Sequence, residues 1–369
     1  MKKFAIVSYN MYCNFTNYGS ALQSYALQKS INRIEGVESI VLDYCPDILK
    51  DKDVLNPLGN MWDKDAESAR MVELSMPAIR LNNARFIEFY GRCYHLSGQK
   101  YSSENFNESM TNEELDGYVC GADTIFCPDE FALDDGYYAN FDVMRHHSVS
   151  YAASFGDAHF TEMQLRRLPS LLNNFRALGI RENDMLPFVN NHVSVPVQRV
   201  LDPTLLLSAA DYDEIIAPPK GSEKYVLLYA RRYNAKMEAF ADRVAQENGW
   251  KVIEISLRAV NADRHEMRYD AGVEEFLSLT KHAEMVITNS YHSMIFAIIF
   301  RRPFYIFSRE QCSTKIIELL GLFGLHDRLL VAGNEPEAMN LDYDLLSMRL
   351  DEEREKSAGF LRMELEEAL

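Results

Sequence analysis

Residues 284–307 read Glu-Met-Val-Ile-Thr-Asn-Ser-Tyr-His-Ser-Met-Ile-Phe-Ala-Ile-Ile-Phe-Arg-Arg-Pro-Phe-Tyr-Ile-Phe, and they leave few folds open to this chain. Met285 to Ile287 are apolar without alternation, the pattern of a strand buried on both faces. Thr288, Asn289 and Ser290 are turn and N-cap residues. Met294 to Phe300 then read as a buried helix, with Arg301 and Arg302 expected in its last turn, where cations suit the helix dipole. Pro303 stops it, and Phe304 to Phe307 read as the next strand. A strand–turn–helix–strand unit of this kind belongs to an α/β sheet. It places His292 in the first helical turn, at the carboxyl end of a parallel strand. Open α/β sheets bind ligands there, and a helix N-terminus attracts phosphate or carboxylate. On spacing alone, His292 could equally hydrogen-bond a neighbouring loop.

A chain of 369 residues exceeds what one core usually serves, so two domains are expected. A net charge of −17 argues against nucleic acid and anionic membrane surfaces as partners. An anionic substrate would need local basic groups, because the long-range field repels it, although salt screens that field within about 8 Å. The first apolar run, Phe4 to Ser8, is too short for a signal peptide and reads as a strand. The Met294–Phe300 run is far below the roughly 20 residues of a membrane span. Six cysteines (13, 45, 93, 120, 127 and 312) form no CxxC pair, so neither a zinc site nor a disulfide framework is expected, and a cytoplasmic location follows.

Strands alternate with helices along the chain. Strands are expected at Phe4–Ser8, Ser39–Asp43, Asp116–Gly121, Val149–Ser154, Ala177–Ile180 and Gln198–Leu201. Helices are expected after Asn17-Tyr18-Gly19-Ser20, over Met76–Tyr94 with Ile79, Ala84, Phe86, Ile87 and Tyr90 inward, and over Thr161–Phe175. Ser97 to Glu114 reads as loop. Residues 208–222, with Pro218-Pro219 and Gly221, form the best linker. A second series follows: strands Tyr225–Tyr229 and Lys251–Ile255, helices Lys236–Glu247 and Val273–Thr280, the 284–307 unit, and a helix from Ile316. Leu345 to Leu369 is a charged amphipathic helix. The expected division is residues 1–207, 223–335 and 336–369.

Several short motifs, taken in order, resemble the polysaccharide pyruvyl transferase family. Thr288-Asn-Ser-Tyr-His-Ser-Met294 before an apolar helix and Arg301-Arg-Pro-Phe304 is similar to its C-terminal signature. Asn17-Tyr-Gly-Ser-Ala-Leu-Gln23 is similar to its N-terminal loop. Gly121-Ala-Asp-Thr-Ile-Phe126 is similar to its Gly-Ser-Asp-Gln-Val-Trp motif, with Phe126 in place of Trp. Tyr151-Ala-Ala-Ser-Phe-Gly156, Arg181-Glu182 and Asp202-Pro-Thr-Leu-Leu-Leu207 complete the set. Many members carry Asp-Arg-Phe-His-Gly where this chain has Asn289-Ser-Tyr-His-Ser293, so the arginine is missing at Ser290. A subgroup has Asn-Ser-Phe/Tyr-His, as here.

The resemblance implies an α/β fold with two Rossmann-like domains facing a cleft, as in GT-B glycosyltransferases, and a C-terminal helix crossing back to the first domain. It implies transfer of pyruvate from phosphoenolpyruvate to two hydroxyls of a sugar in a surface or exopolysaccharide precursor, making a cyclic ketal. The partners would be phosphoenolpyruvate and a carbohydrate acceptor, free or lipid-linked, with no further cofactor and no metal. Such chemistry needs a positioned acid/base and fixed cations for phosphate and carboxylate. By the resemblance, His292 is the acid/base and Arg181 holds the anionic donor. Asn17, Tyr18, Gly19, Asp123, Ser154, Asn289 and Ser290 are expected to bind substrate. One of Arg231 and Arg232, at the end of the first strand of the second series, would replace the missing arginine, with Lys315 as the reserve.

Other readings of the same residues stand beside these. Asp123 could cap a helix, Arg181 could pair with Glu182 or Asp184, and Arg231 with Arg232 could be a solvated pair. The competing functions are a glycosyltransferase using a nucleotide-sugar donor and a non-catalytic glycan- or phosphate-binding relative.

Overall fold

A computed structural model describes residues 1–60, 64–111, 114–219, 221–308, 313–330 and 341–366. Unbroken apolar runs form the centres of two parallel sheets. The first contains β1 (Lys2–Val7), β2 (Val37–Tyr44), β3 (Leu96–Tyr101), β4 (Gly117–Cys120), β5 (Ser148–Ala153), β6 (Phe175–Ile180) and β7 (Val197–Arg199), in the order β3-β2-β1-β4-β5-β6-β7. The second contains β8 (Tyr225–Tyr229), β9 (Lys251–Ile255), β10 (Glu266–Met267), β11 (Met285–Thr288), β12 (Phe304–Phe307) and β13 (Leu329–Leu330), in the order β10-β9-β8-β11-β12-β13. Strand order reverses between β1 and β4 and between β8 and β11. In open parallel sheets a crevice opens at such a point, beyond the carboxyl ends of the strands. Gly19, Asp123, Arg231 and His292 each follow one of these four strands.

The helices that matter for the site are α1 (Tyr18–Ile31), α2 (Ala66–Cys93), α3 (Val273–His282), α4 (Tyr291–Ile299), α5 (Ser313–Phe323) and α6 (Tyr343–Glu366). Asn17 caps α1, its side-chain oxygen accepting from the backbone N–H of Gly19 and Ser20. The apolar core between the sheets is continuous. Tyr18 of α1 stacks on Phe276 of α3 at 4.5 Å and 12° between planes, and its hydroxyl donates to the Ala271 carbonyl at 2.7 Å. Aromatic pairs of this kind add about 0.5–1.5 kcal/mol beyond their buried area. At the same interface Arg85 of α2 bridges Asp270 and Glu275.

α6 returns to the first sheet. Its early turns meet the second half of the chain, where Arg349 donates to the Phe323 carbonyl at 2.9 Å. Farther on, Arg354 donates to the Leu205 carbonyl at 2.8 Å, and Ser357 accepts from the Leu201 N–H at 2.9 Å. The crossing helix expected from the family resemblance is therefore present. Among the described residues, no helix is long and apolar enough to cross a membrane.

Four expectations need correction. The long helix begins at Ala66 instead of Met76, because Asp65 caps it and Pro77 lies inside it. Pro77 has no N–H to donate, so the helix forgoes one backbone hydrogen bond there, and its ring lies on the exposed side. Ala84 and Ile87 were expected inward but are exposed, Ile87 by 62%, with Phe86 and Phe89 filling the inner face. Residues 97–114 are not all loop: they hold most of the edge strand β3 and a short helix, Phe106–Met110. The strand's outward residues are polar, as suits a sheet edge. Arg301 and Arg302 lie beyond α4, not in its last turn. Arg301 takes the left-handed position (φ 52°) and Arg302 N–H closes the helix end onto the Ala297 carbonyl at 2.8 Å. Cys312, residues 331–335 of the expected second domain, and residues 336–340 and 367–369 of the expected C-terminal segment lie outside the described residues.

Candidate active site

His292 enters the site because Ser290 ends β11's loop and caps α4, its hydroxyl accepting from the Ser293 N–H at 3.4 Å. The side chain is 9% exposed. Its Nε2 lies 3.3 Å from Oδ2 of Asp202, off the line of a hydrogen bond. Its other edge packs on the first turn of α1. A Cβ at Gly19 would stand 1.9 Å from Nδ1, so no other residue fits there without moving the ring. The glycine of the Asn-Tyr-Gly-Ser motif is thus required by close approach to His292.

Asp202 joins His292 to Arg181. The Arg181 guanidinium donates from Nη1 to Asp202 at 2.9 Å and from Nε to Glu182 at 2.7 Å, and it lies over the Tyr291 ring at 5.0 Å. Glu182 also accepts from Ser154 Oγ at 2.6 Å. All of these side chains are buried. Burial pushes the Asp202 carboxyl up, but the nearby His292 and Arg181 and the hydrogen bond from Thr204 outweigh it and hold the group well below the usual range. Arg181 borders a narrow crevice with Tyr291 and Lys315, and two of its three nitrogens already serve carboxylates.

Asp123 approaches from β4. Its backbone is left-handed (φ 66°), tolerated here because its carboxylate accepts from the Thr124 N–H at 3.0 Å and from Ser20 Oγ at 2.7 Å. Burial raises its carboxyl, yet His292, Lys315 and Arg181 together bring it below its ordinary value. Asp123 lines a cleft of about 840 Å³ between the two sheets. Asn17, Arg231, Arg232 and Lys315 line the same cleft. Arg231 lies over the Phe15 ring at 4.1 Å and donates to the Thr16 carbonyl at 3.1 Å. Lys315, at the start of α5, lies 5.5 Å from the centre of the Tyr291 ring.

The structure therefore gathers His292, Gly19, Asp123, Arg181 and Lys315 into one neighbourhood, with Arg231 and Arg232 across the cleft. Two expected substrate ligands face elsewhere. Tyr18 is built into the interface of the sheets. Asn289 clamps the β8 loop, accepting from the Arg231 N–H at 2.8 Å and donating to the Arg232 carbonyl at 2.7 Å. Ser290 and Ser154 are engaged by a helix cap and by Glu182. The pairing of Arg181 with Glu182, one of the alternatives read from sequence, is present, whereas sequence reading missed Asp202 as a charged partner and Ser20 as the donor to Asp123. Both stand inside quoted motifs, but their partners lie far away in sequence. Among the described residues, no three His, Cys, Asp or Glu side chains are placed to hold a metal ion.

The fold is similar to that of solved GT-B proteins. A Listeria monocytogenes protein assigned as a UDP-N-acetylglucosamine 2-epimerase aligns with a TM-score of 0.51 at 12% identity, over 97% of this chain and 90% of that one. The S. aureus MnaA structure with UDP aligns at 0.48 and 14% identity, over 100% and 91%. The heptosyltransferase II of E. coli aligns at 0.40 and 12% identity, over 96% and 99%. No curated protein matches the sequence. The sequence pattern of the polysaccharide pyruvyl transferases matches residues 17–311, which takes in every residue of the cluster around His292 apart from Lys315. This chain belongs to the polysaccharide pyruvyl transferase family.

Proposed function

We propose that the protein transfers pyruvate from phosphoenolpyruvate to two hydroxyls of a sugar unit in a polysaccharide precursor. The observation that carries this reading is the seating of His292: a helix N-terminus beneath it, an ionised Asp202 at Nε2, and three cations lining the adjoining cleft. The donor carries close to three negative charges. Arg231, Arg232 and Lys315 supply the fixed positive charge that its phosphate and carboxylate need, and the N-terminus of α4 adds to it.

Nε2 is sealed against Asp202, so proton exchange with substrate runs through Nδ1, which packs beside the Gly19 backbone and stays uncovered only because Gly19 has no side chain. His292 then passes a proton to the methylene carbon of the donor while the first sugar hydroxyl bonds to the central carbon. The second hydroxyl adds as the C–O bond to phosphate breaks. One hydroxyl proton ends on the new methyl group and the other on phosphate, so the sum is donor plus diol giving ketal plus inorganic phosphate. Arg181 acts through Asp202, as a positioning residue.

The test is phosphate release from phosphoenolpyruvate in the presence of a panel of glycan precursors, with mass spectrometry of the acceptor. A pyruvate ketal on the sugar supports the reading. Transfer of a glycosyl group from a nucleotide-sugar, with no ketal from any acceptor, would replace it.

A further inference from the structure

The outer face of α2 is not covered by the rest of the described chain. Leu74 is 50% exposed and Leu81 is 45% exposed, and Pro77 and Ala84 are exposed with them. These four recur at steps of three, four and three, so they form one apolar seam along the helix. Arg70 lies one step beyond the seam at one end and Glu88 one step beyond it at the other, in the same phase, and both are exposed. The opposite face of α2 is already used: Met71, Val72, Phe86 and Phe89 are buried.

We propose that this face pairs with the same face of a second copy of the chain, in an antiparallel two-fold dimer. The order of residues along the seam is what selects this partner. A two-fold axis passing midway between Pro77 and Leu81 sets Pro77 against Leu81, Leu74 against Ala84 and Arg70 against Glu88, each pair occurring twice. An isologous interface requires this self-complementarity. Larger residues meet smaller ones, and opposite charges meet at both ends. A lipid surface fits less well, because the face is electrically balanced and the chain carries −17 overall. The seam from residue 70 to 88 spans about 27 Å at 1.5 Å per residue. With a contact width of about 10 Å this covers roughly 300 Å² per copy, below the ~800 Å² of a standard interface, so the dimer is weak.

Sedimentation velocity of the full chain from about 1 to 200 µM brackets the dissociation constants of weak dimers. The sedimentation coefficient is expected to rise with concentration from a monomer to a dimer value. Leu81→Asp should hold the chain at the monomer value throughout. Arg70→Glu and Glu88→Arg should each shift the transition to several-fold higher concentration, and the double swap Arg70→Glu/Glu88→Arg should restore it. All three sites are exposed, so far-ultraviolet circular dichroism should be unchanged. A monomer at every concentration, an assembly that Leu81→Asp leaves intact, or a double swap no better than either single one would each overturn the proposal.

Discussion

Nε2 of His292 and Oδ2 of Asp202 lie 3.3 Å apart, although one residue begins a helix of the second sheet and the other follows the last strand of the first. The orientation of the ring is therefore set by how the two sheets pack. Asp202 is in turn fixed by Arg181 at 2.9 Å and by Thr204, whose N–H and hydroxyl both donate to its other oxygen. The carboxylate is charged, buried and immobile before substrate arrives, which is what preorganised catalysis requires.

His292→Gln should keep the fold and lower turnover by about 100-fold or more, the usual scale for loss of a general acid/base. Asp202→Asn should lower it by about 10- to 100-fold, because a charge-assisted contact is worth roughly 1.5–3 kcal/mol. Steady-state phosphate release checks both. Turnover near wild type in folded His292→Gln would remove the acid/base assignment.

Gly19→Ala tests the contact from the other side. The added Cβ would meet Nδ1 at 1.9 Å and the neighbouring ring carbons at 2.4 and 2.6 Å, so the imidazole has to move. Turnover should fall by at least about tenfold, with the larger part in kcat, since geometry at the reacting atom is what is lost. A crystal structure of the variant with the ring unmoved would contradict this.

These two residues show what could be read from sequence and what could not. His292 was placed correctly because the local signals agree: an unbroken apolar strand, a serine cap and a helix stop. Strands Tyr225–Tyr229 and Lys251–Ile255 were legible to the residue for the same reason. The start of α2 was obscured by Pro77, which reads as a helix start when the Asp65 cap is overlooked. β3 was missed because a half-exposed edge strand with polar residues looks like loop. Asp202 could be quoted as part of a motif, but its pairing depends on two sheets meeting across 90 residues, and no local pattern encodes that. Arg181 was read as a ligand of an anion or as the partner of Glu182 or Asp184; the fold pairs it with Glu182, its neighbour in sequence, and adds Asp202 from beyond the next strand.

Arg181→Leu should accordingly behave first as a stability variant. It leaves two buried carboxylates without their cation, a loss of about 3–5 kcal/mol for a broken buried pair. Urea denaturation should show it. Arg181→Lys keeps the charge but not the two-pronged geometry, and should recover part of the loss. Unchanged stability in Arg181→Leu, with a weaker KM for donor alone, would instead return Arg181 to the role of donor ligand.

His265 gives stability a pH dependence. Its Nε2 pairs with Asp242 at 2.7 Å, and its Nδ1 with Glu254, which Asn261 also reaches at 3.0 Å. Arg264 stands beside it, bound to Asp242 and Glu238. Burial lowers the affinity of His265 for a proton, but the two carboxylates outweigh it and raise the group above its ordinary value. A raised histidine contributes stability that is complete below the unfolded value of about 6.5 and is lost as pH rises through the folded one. The urea midpoint should therefore decline from about pH 6.5 upward, and His265→Gln should flatten that decline. A midpoint as pH-dependent in the variant as in wild type would locate the effect elsewhere.

The last question is what replaces the arginine missing at Ser290. Ser290 offers only a hydroxyl, and that hydroxyl caps α4. Arg231, Arg232 and Lys315 all line the cleft with Asp123, so each is close enough to take part in binding the donor. Arg231 is also braced by the first half of the chain: its guanidinium covers Phe15 and reaches the Thr16 carbonyl, next to the Asn17 cap of α1. Its removal should disturb both the donor and the loop carrying Asn17 and Gly19, raising KM for phosphoenolpyruvate and lowering kcat together. Arg232 and Lys315 are set differently. Asn289 holds the Arg232 backbone, and Lys315 sits at the first turn of α5, so their truncation leaves the loop before α1 in place. Arg232→Ala and Lys315→Ala should each raise KM for phosphoenolpyruvate by about tenfold or more, with kcat changed less, as expected when a charge-assisted contact worth roughly 1.5–3 kcal/mol is removed from ground state and transition state alike. Calorimetric titration of phosphoenolpyruvate into each variant separates binding from turnover. If all three variants bind it as tightly as wild type, the cleft cations do not hold the donor, and the missing arginine has no replacement among them.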